Sequence, residues 1–233
     1  MYCIFLEGEM LMNTALITAG GIGARMNASV KKQFMLINGK TVLQHTLEKF
    51  INHPLIDDIV LVVPEDDISE AESICSKAEA PYIRIVSGGI TRQQSVENGL
   101  KACPEGTAIV LIHDGVRPFV KEETISELIA LAREFKAVIP VSKIRNTIKE
   151  VQHKVIMRTV SREFLYNALT PQVFDYELIL SCHEQARTVN YHFTDDSSIL
   201  EYFSIPVHAL ITDDSNLKIT EPYDLELARH LLE

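Results

Sequence analysis

The sequence predicts an α/β protein with a doubly wound, mostly parallel sheet. Short apolar runs rich in β-branched residues recur along the chain, which is the composition of strands buried on both faces. Segments with apolar residues at helical spacing separate these runs. Strands and helices that alternate in this way form a parallel sheet that binds ligands at the carboxyl ends of its strands.

The predicted elements follow one another regularly as far as residue 141. Strands are predicted at residues 15–17, 59–63, 82–86, 108–112 and 137–141. Helices are predicted at residues 42–51, 67–78, 95–103 and 125–132, and Thr41 can cap the first of them. Residues 1–12 precede the first convincing strand and are expected to be an N-terminal extension, so that residues 13–233 form a single domain.

This regular order breaks at residues 143–160. Residues 147–151 and 155–160 alternate apolar and polar side chains around Gln152-His153-Lys154, a pattern typical of a β-hairpin. The polar alternation predicts that this segment, called the arm below, projects from the sheet. Two interpretations stay open from the pattern alone, a plain edge hairpin or an arm that joins two copies of the chain.

Composition narrows the classes of partner. The formal charge of −10, from 22 basic and 32 acidic residues, argues against a nucleic-acid surface. The four cysteines lack metal-ligand or disulfide spacing, which fits a reducing compartment. No apolar stretch approaches the roughly 18 residues that a membrane span needs, and the first ten residues lack a basic signal-peptide region. We expect a cytoplasmic protein without a membrane partner.

A glycine-rich loop, Ala19-Gly20-Gly21-Ile22-Gly23, follows the first strand, with Arg25 and Lys32 beyond it. Its glycines let the backbone approach a ligand closely, and its N–H groups and the two cations suit phosphate oxygens. The dinucleotide pattern G-x-G-x-x-G is incomplete because Met26 replaces the third glycine, and no Walker Gly-Lys-Ser/Thr is present. The loop predicts a nucleoside triphosphate site of another kind, with a plain turn as the alternative.

Two further polar segments follow predicted strands. Gly88-Gly89 begins a second glycine turn, from which Arg92 or Ser95 can reach a ribose or a phosphate. Asp114 follows another strand and can hold Mg²⁺ against triphosphate oxygens, with Arg117 neutralising phosphate beside it. The alternative for Asp114 is a turn-forming residue. Because three segments end at the same edge of the sheet, they predict one shared crevice.

A wider set of motifs contains these residues. In chain order the motifs are Thr18-Ala-Gly-Gly-Ile-Gly-Ala-Arg25-Met with Lys32-Gln33, Gly88-Gly89-x-x-Arg92-x-x-Ser95-Val96, His113-Asp114-x-x-Arg117-Pro118, Thr147-Ile148-Lys149, Arg162 with Thr170-Pro171-Gln172, Thr194-Asp195-Asp196-x-Ser198, and Asn216-x-Lys218-x-Thr220. Over residues 13–233 this set resembles the 2-C-methyl-D-erythritol 4-phosphate cytidylyltransferase family. Pentitol-phosphate cytidylyltransferases share most of it.

The resemblance implies a Rossmann-like nucleotidyltransferase that uses CTP and Mg²⁺ and yields a CDP-alditol and pyrophosphate. It implies catalytic roles at the triphosphate for Arg25, Lys32 and Lys218. The nucleotide-binding residues would be Ala19, Gly20, Gly21, Gly23, Gly88, Gly89, Arg92, Ser95 and Asp114. The residues binding the alditol phosphate would be Asp114, Arg117, Thr147, Arg162 and Thr170, with Asp114 beside the metal. The arm would reach across a homodimer.

Three departures from the family pattern leave more than one alditol phosphate possible as the acceptor substrate. Lys31 replaces a usual proline, Asn146 replaces an aspartate before Thr147, and Gly115-Val116 replaces a common Ala-Ala. The last two changes lie near the acceptor side, so ribitol 5-phosphate remains an alternative acceptor. A dinucleotide-dependent dehydrogenase is disfavoured by the incomplete glycine pattern, and a non-catalytic nucleotide sensor would be expected to have lost the phosphate-binding cations.

Overall fold

The computed structural model describes residues 11–20 and 30–232, and strands and helices alternate in it as the sequence predicts. The strands are β1 (Met12–Thr18), β2 (Leu36–Ile37), β3 (Lys40–Thr41), β4 (Asp58–Val63), β5 (Arg84–Ser87), β6 (Thr107–Asp114), β7 (Ala137–Lys143), β8 (Ile148–Gln152), β9 (Val155–Val160), β10 (Tyr166–Ala168), β11 (Gln172–Asp175) and β12 (His208–Thr212). The helices are α1 (Val42–Ile51), α2 (Ile68–Lys77), α3 (Arg92–Lys101), α4 (Glu122–Phe135), α5 (Tyr176–Ala186), α6 (Ser197–Tyr202) and α7 (Pro222–Leu231).

The main sheet is mostly parallel, as predicted. Strands β5, β4, β1 and β6 run parallel to one another, and β12 runs parallel to β7. Strands β10 and β11 are the reversed members, since β11 lies antiparallel between β6 and β7 and β10 pairs antiparallel with the end of β7. Because β1 and β6 run side by side, the register brings Thr18 opposite Asp114 at their carboxyl ends.

Helices cover both faces of this sheet, which makes the fold doubly wound. One apolar cluster joins the sheet to α1, α2 and α4, and a second joins the opposite face to α3, α5 and α6. Strand β4 contributes to both clusters because its side chains alternate between the faces, with Leu61 in the first and Val60 in the second. A third cluster packs α7 against β2 through Ile37, Ile219 and Leu225.

Several predicted boundaries differ from those observed. Helix α3 begins three residues earlier than expected because Thr91 caps it: the Thr91 side chain accepts the Gln94 N–H, and the Gln94 side chain bonds back to the cap. Strand β5 begins two residues later than expected, and β1 includes Met12, the last residue assigned to the extension. Apolar Leu217 and Ile219 on either side of Lys218 make residues 216–220 strand-like in sequence, but this segment belongs to no strand.

The arm is a hairpin, as predicted. Strands β8 and β9 form a sheet of their own and pair with no described strand of the main sheet, so this is not an edge hairpin of that sheet. The turn contains only His153 and Lys154, both with positive φ (48° and 66°), as in the type I′ turn that suits a two-residue connection. Gln152 therefore belongs to β8 rather than to the turn.

Among residues 11–20 and 30–232, none of the helices combines the length and the apolar character that crossing a membrane requires.

Candidate active site

The carboxyl ends of three neighbouring strands meet at one edge of the sheet. The Ala19 N–H donates to the Val62 carbonyl at 2.8 Å, and the Gly88 N–H donates to the Val63 carbonyl at 2.7 Å. With Asp114 opposite the end of β1, these contacts bring the first glycine loop, the second glycine turn and Asp114 together as expected. Gly20 is the last described residue of the first loop, and Gly21, Gly23 and Arg25 lie outside the described residues.

Lys32 lies on a single 3₁₀ turn, Lys32–Phe34, that is tied to the end of β1. The buried side chain of Gln33 donates from Nε2 to the Ala19 carbonyl at 2.9 Å. Burial raises the pKa of Asp224, but hydrogen bonds from Thr220 and Glu221 and the charge of Lys32 outweigh this and lower it. The charge of Lys32 therefore acts on Asp224 of α7.

Asp114 is held between two cations. Its Oδ2 accepts a hydrogen bond from Arg117 Nε at 3.0 Å and lies 2.9 Å from Lys218 Nζ. Burial alone would raise the pKa of Asp114, but the charges of Lys218 and Arg117, with a smaller contribution from Arg92, hold it well below its usual range. The carboxylate is therefore ionised and fixes both cations at the end of β6.

The two cations differ in how much they can offer a ligand. Arg117 is buried and also donates from Nη1 to the Asn216 carbonyl at 2.9 Å. Lys218 keeps 40% of its side chain exposed, and its ammonium can donate to a phosphate oxygen while it remains next to Asp114. Lys218 thus keeps exposed donor capacity beside Asp114, whereas the guanidinium of Arg117 is largely occupied by Asp114 and Asn216.

Thr170 connects β11 to the end of β6 through His113. The Nε2 of His113 lies 3.1 Å from the Arg117 carbonyl, which only accepts, so Nε2 carries the proton. Nδ1 then accepts from the Thr170 hydroxyl at 2.9 Å, and the hydroxyl oxygen accepts the Asp114 N–H at 3.3 Å. Burial lowers the pKa of His113 to about 4, so the neutral ring is the form present near neutral pH. The hydroxyl proton of Thr170 is therefore used in the bond to His113 and is not available to the alditol phosphate.

We expect Thr170→Val to lower the free energy of unfolding by about 1–3 kcal/mol, the cost of leaving buried polar groups without partners. Valine keeps the shape of the side chain but removes the hydroxyl between His113 and Asp114. Urea unfolding measures the effect, and Thr170→Ser, which keeps the hydroxyl, is the matched control. Equal stability of the valine and serine variants would contradict this role.

Side chains at the start of α3 occupy three N–H groups of the second glycine turn. Ser95 Oγ takes the Gly89 N–H at 3.0 Å, and Gln94 Oε1 takes the N–H groups of Ile90 and Thr91 at 3.0 and 3.3 Å. A Cβ at Gly89 would lie 2.3 Å from the Gln94 Cβ, so only glycine fits this close packing. Side-chain contacts from the start of α3 therefore fix the shape of the turn.

Arg92 stands directly after this turn, and Asp196 binds its guanidinium. Nη1 and Nη2 donate to the two carboxylate oxygens of Asp196 at 3.0 and 2.6 Å. Burial raises the pKa of Asp196, but the Arg92 charge, with the neighbouring His183, outweighs this and lowers it to about 2. The structure thus gives Arg92 a protein partner at the place where a nucleotide contact is predicted.

Thr147 and Arg162 flank the two strands of the arm. Thr147 is exposed at the start of the arm. Arg162 lines a cavity of about 570 Å³ at the base of the arm, together with Lys143, Arg145 and Tyr166. Thr18, Asp114 and Lys218 do not line this cavity. Arg162 and Asp114 therefore do not line the same cavity.

The comparisons with known proteins concern nearly the whole chain. The family model for 2-C-methyl-D-erythritol 4-phosphate cytidylyltransferase matches residues 13–233. The chain belongs to this family. The enzyme of that name from Clostridium botulinum (strain Loch Maree) is 42% identical over 230 residues, covering 96% of this chain and 99% of the relative. The one from Geobacter metallireducens is 43% identical over 220 residues, covering 92% and 94%.

Solved structures of the family share the fold. The 4-diphosphocytidyl-2C-methyl-D-erythritol synthase from Anaerococcus prevotii has a TM-score of 0.83 and 36% identity, covering 95% of this chain and 96% of that one. The 2-C-methyl-D-erythritol 4-phosphate cytidylyltransferase from Francisella tularensis has a TM-score of 0.79 and 29% identity, covering 94% and 99%. The resemblance drawn from the motifs is confirmed, and the dehydrogenase alternative is wrong.

In this member of the family the described residues form no metal cage. No group of three or more histidine, cysteine, aspartate or glutamate side chains within residues 11–20 and 30–232 is placed to hold a metal ion. Asp114 alone supplies an ionised carboxylate at the carboxyl end of β6. One carboxylate suits Mg²⁺, which keeps several waters and usually binds through one or two carboxylates together with substrate phosphates.

Sequence reasoning assigned no role to several residues that organise this site. Asn216 donates from Nδ2 to the Thr170 carbonyl at 2.6 Å, and its own carbonyl accepts from Arg117. The bonds of His113 to Thr170 and to the Arg117 carbonyl make it the link between β6 and β11. Asn216, Gln172 and Asp196 all belong to motifs that carry predicted site residues, and that shared membership was the available signal.

Proposed function

We propose that this protein transfers the cytidylyl group of CTP to 2-C-methyl-D-erythritol 4-phosphate, giving the CDP-alditol and pyrophosphate for isoprenoid precursor synthesis. Membership of the family over residues 13–233 carries this assignment. The geometry supports it, because Lys218 and Asp114 lie at the strand ends where a doubly wound sheet binds its ligand.

The reaction needs no nucleophilic side chain. A phosphate oxygen of the acceptor attacks the α-phosphorus of CTP, a new P–O bond forms, and the bond to the bridging oxygen breaks as pyrophosphate leaves. Both reactants are anions, so the protein must reduce their repulsion and stabilise the charge that develops on the transferring and leaving oxygens. We assign this work to Lys218 and Lys32, and to Arg25 from the family pattern.

The second glycine turn supports CTP as the nucleotide. The cytosine ring carries an amino group that donates hydrogen bonds, whereas uracil presents a carbonyl at the same position. We propose that a backbone carbonyl of this turn accepts from the cytosine amino group, because Ser95 and Gln94 already occupy three of the turn's N–H groups. Uracil has no donor at that position of its ring, so such a contact would favour CTP over UTP.

Mg²⁺ when bound would neutralise triphosphate oxygens, and we propose that Asp114 contributes to holding it. Asp114→Asn removes one formal charge, so we expect the Mg²⁺ concentration for half-maximal turnover to rise. A magnesium titration of pyrophosphate release measures this. Glu48→Gln removes a carboxylate from a surface ion pair with Lys40 and serves as the control. An unchanged titration for Asp114→Asn would leave Asp114 as the anchor of Arg117 and Lys218 only.

Turnover with CTP and a panel of alditol phosphates tests the assignment of the acceptor. We expect a higher kcat/KM for 2-C-methyl-D-erythritol 4-phosphate than for ribitol 5-phosphate, read as pyrophosphate release. Asn146 is the departure nearest to Thr147, so it is the first position to exchange if the order is reversed. A higher kcat/KM for ribitol 5-phosphate would assign the protein to the alternative reaction.

We also propose a homodimer in which the arm of each chain packs on the other. The arm exposes an unusual share of apolar side chains: Val151 is 54%, Val155 60%, Ile156 62% and Met157 56% exposed. A lone two-stranded hairpin is marginally stable in water, and contiguous exposed apolar surface usually marks an interface. A second copy of the chain would cover this surface and bring Thr147 to the partner's crevice.

We place this activity in the cytoplasm. The three cysteines in the described part of the chain, Cys75, Cys103 and Cys182, are free thiols. Burial raises the pKa of Cys75 to about 11 and that of Cys103 to about 12, so both stay protonated. Free, unreactive thiols suit a reducing compartment.

A further inference from the structure

The ion pair between Arg92 and Asp196 joins the second glycine turn to another part of the fold. Arg92 is the first residue of α3, immediately after the cap residue Thr91, and 37% of its side chain is exposed. Asp196 precedes α6 and its side chain is completely buried. Two parallel hydrogen bonds between a guanidinium and a carboxylate fix orientation as well as charge. The start of α3 is therefore held to a buried, immobile partner.

The turn around Asp196 is fixed from the other side by β11. The N–H groups of Asp196 and Ser197 both donate to Gln172 Oε1 at 3.0 Å, and Gln172 Nε2 donates to Asp195 Oδ2 at 2.7 Å. Gln172 begins β11, two residues after Thr170, whose hydroxyl accepts the Asp114 N–H. A continuous set of hydrogen bonds and short chain segments thus runs from the glycine turn to Asp114.

A third side chain closes the environment of Asp196. His183 of α5 is completely buried, and its Nε2 lies 3.3 Å from Asp196 Oδ1. Neither ring nitrogen of His183 has a hydrogen-bond partner among the described residues. The Asp196 carboxylate therefore lies between Arg92 and His183. Arg92 lies on the side of the crevice and is the cation that donates hydrogen bonds to it. The orientation of the Arg92 guanidinium depends on this one carboxylate.

We propose that Arg92 is a positioning residue which acts through Asp196 to fix the glycine turn that reads the base, and that it does not bind the triphosphate. This inference rests on the proposed function, because it assumes that the turn receives the cytosine of CTP. Lysine cannot replace arginine in this role, since a single ammonium does not reproduce the two-pronged contact with a carboxylate.

The test compares the binding of cytidine, which has no phosphate, with that of pyrophosphate, which has no base. We expect Arg92→Lys to weaken cytidine binding about tenfold, the factor for losing one charge-assisted hydrogen bond, and to leave pyrophosphate binding unchanged. Asp196→Asn should weaken cytidine binding to a similar extent. The double variant should be no weaker than either single variant, because both substitutions remove the same contact. Calorimetry or competition against CTP gives the dissociation constants.

Three results would overturn the proposal. Pyrophosphate binding that weakens by the same factor as cytidine binding would make Arg92 a direct phosphate ligand. Unchanged cytidine binding in Asp196→Asn, or additive losses in the double variant, would show that Arg92 does not act through Asp196. Arg92→Lys keeps a cation opposite the buried carboxylate, so it is expected to fold. If Asp196→Asn does not fold, the comparison of cytidine with pyrophosphate in Arg92→Lys decides alone.

Arg187→Lys is the matched control. Arg187 follows α5 and pairs with Glu97 of the same helix α3, away from the glycine turn. Like Arg92→Lys, Arg187→Lys alters an ion pair between an arginine and a carboxylate that involves α3. We expect it to leave cytidine binding unchanged. Failure of the wild-type protein to bind CTP would refute the proposed function, whereas an unexpected acceptor would leave this binding test intact.

Discussion

Lys218→Ala is expected to lower kcat/KM for CTP by about a hundredfold or more, the usual loss when one group that stabilises transition-state charge is removed. The ammonium of Lys218 is held 2.9 Å from Asp114 Oδ2 and keeps 40% of its side chain exposed. A cation fixed in this way needs little reorganisation when charge develops on the phosphate oxygens. Steady-state kinetics with pyrophosphate release as the readout measures the loss.

The fold should survive this change, because Arg117 still pairs with Asp114. The unfolding temperature of Lys218→Ala is measured alongside the kinetics to establish this. Lys121→Ala, which breaks a surface pair with Asp213, is the control and should turn over normally. Turnover of Lys218→Ala close to that of the wild type would limit Lys218 to neutralising Asp114.

Mixing two inactive variants is expected to restore about a quarter of wild-type activity if the arms are exchanged in a twofold dimer. The variants are Lys32→Ala, which damages the crevice of its own chain, and Thr147→Arg, which damages the arm that reaches the other chain. In a mixed dimer both lesions fall on one crevice and the other is intact. Random exchange makes half of the dimers mixed, and each mixed dimer has one working site.

A second mixture supplies the control for this experiment. Lys32→Ala and Lys218→Ala both damage the crevice of their own chain, so their mixed dimers contain no intact site and should stay inactive. Exchange of subunits is verified with a labelled chain in both mixtures. The shared site would be ruled out if the protein is a monomer at working concentration. It would also be ruled out if the mixture of Lys32→Ala and Thr147→Arg stays inactive although exchange is verified.

The sequence predicted the fold well because its signals are local. The β-branched run at residues 59–63 and the helical spacing in α1 each lie within a dozen residues, and packing agreed with them. The start of α3 was missed because hydrogen bonds of Thr91 and Gln94, rather than apolar spacing, determine it. The strand-like interpretation of residues 216–220 failed because apolar neighbours alone do not provide a pairing partner.

The sequence indicated which residue types form the site but not which side chains they pair with. Arg92 and Arg117 were predicted to contact the ligands, and in the structure their charges are paired with Asp196 and Asp114 inside the protein. Arg92 and Asp196 are 104 positions apart, and His113 and Thr170 are 57 apart, so no spacing pattern connects them. Such pairs appear only after the chain has folded.

The reversed strand β10 has a consequence for how this protein can change. The chain leaves β7 at Lys143, makes the excursion that contains the arm, and returns at Tyr166, which is paired in the ladder with Lys143 itself. The excursion therefore begins and ends at two residues that are paired in the sheet. Its length does not affect the register of the strands. Segments attached in this way tolerate insertion, deletion and replacement. The arm is in this sense a cassette, and its replacement is expected to leave the pairing of the main sheet unchanged.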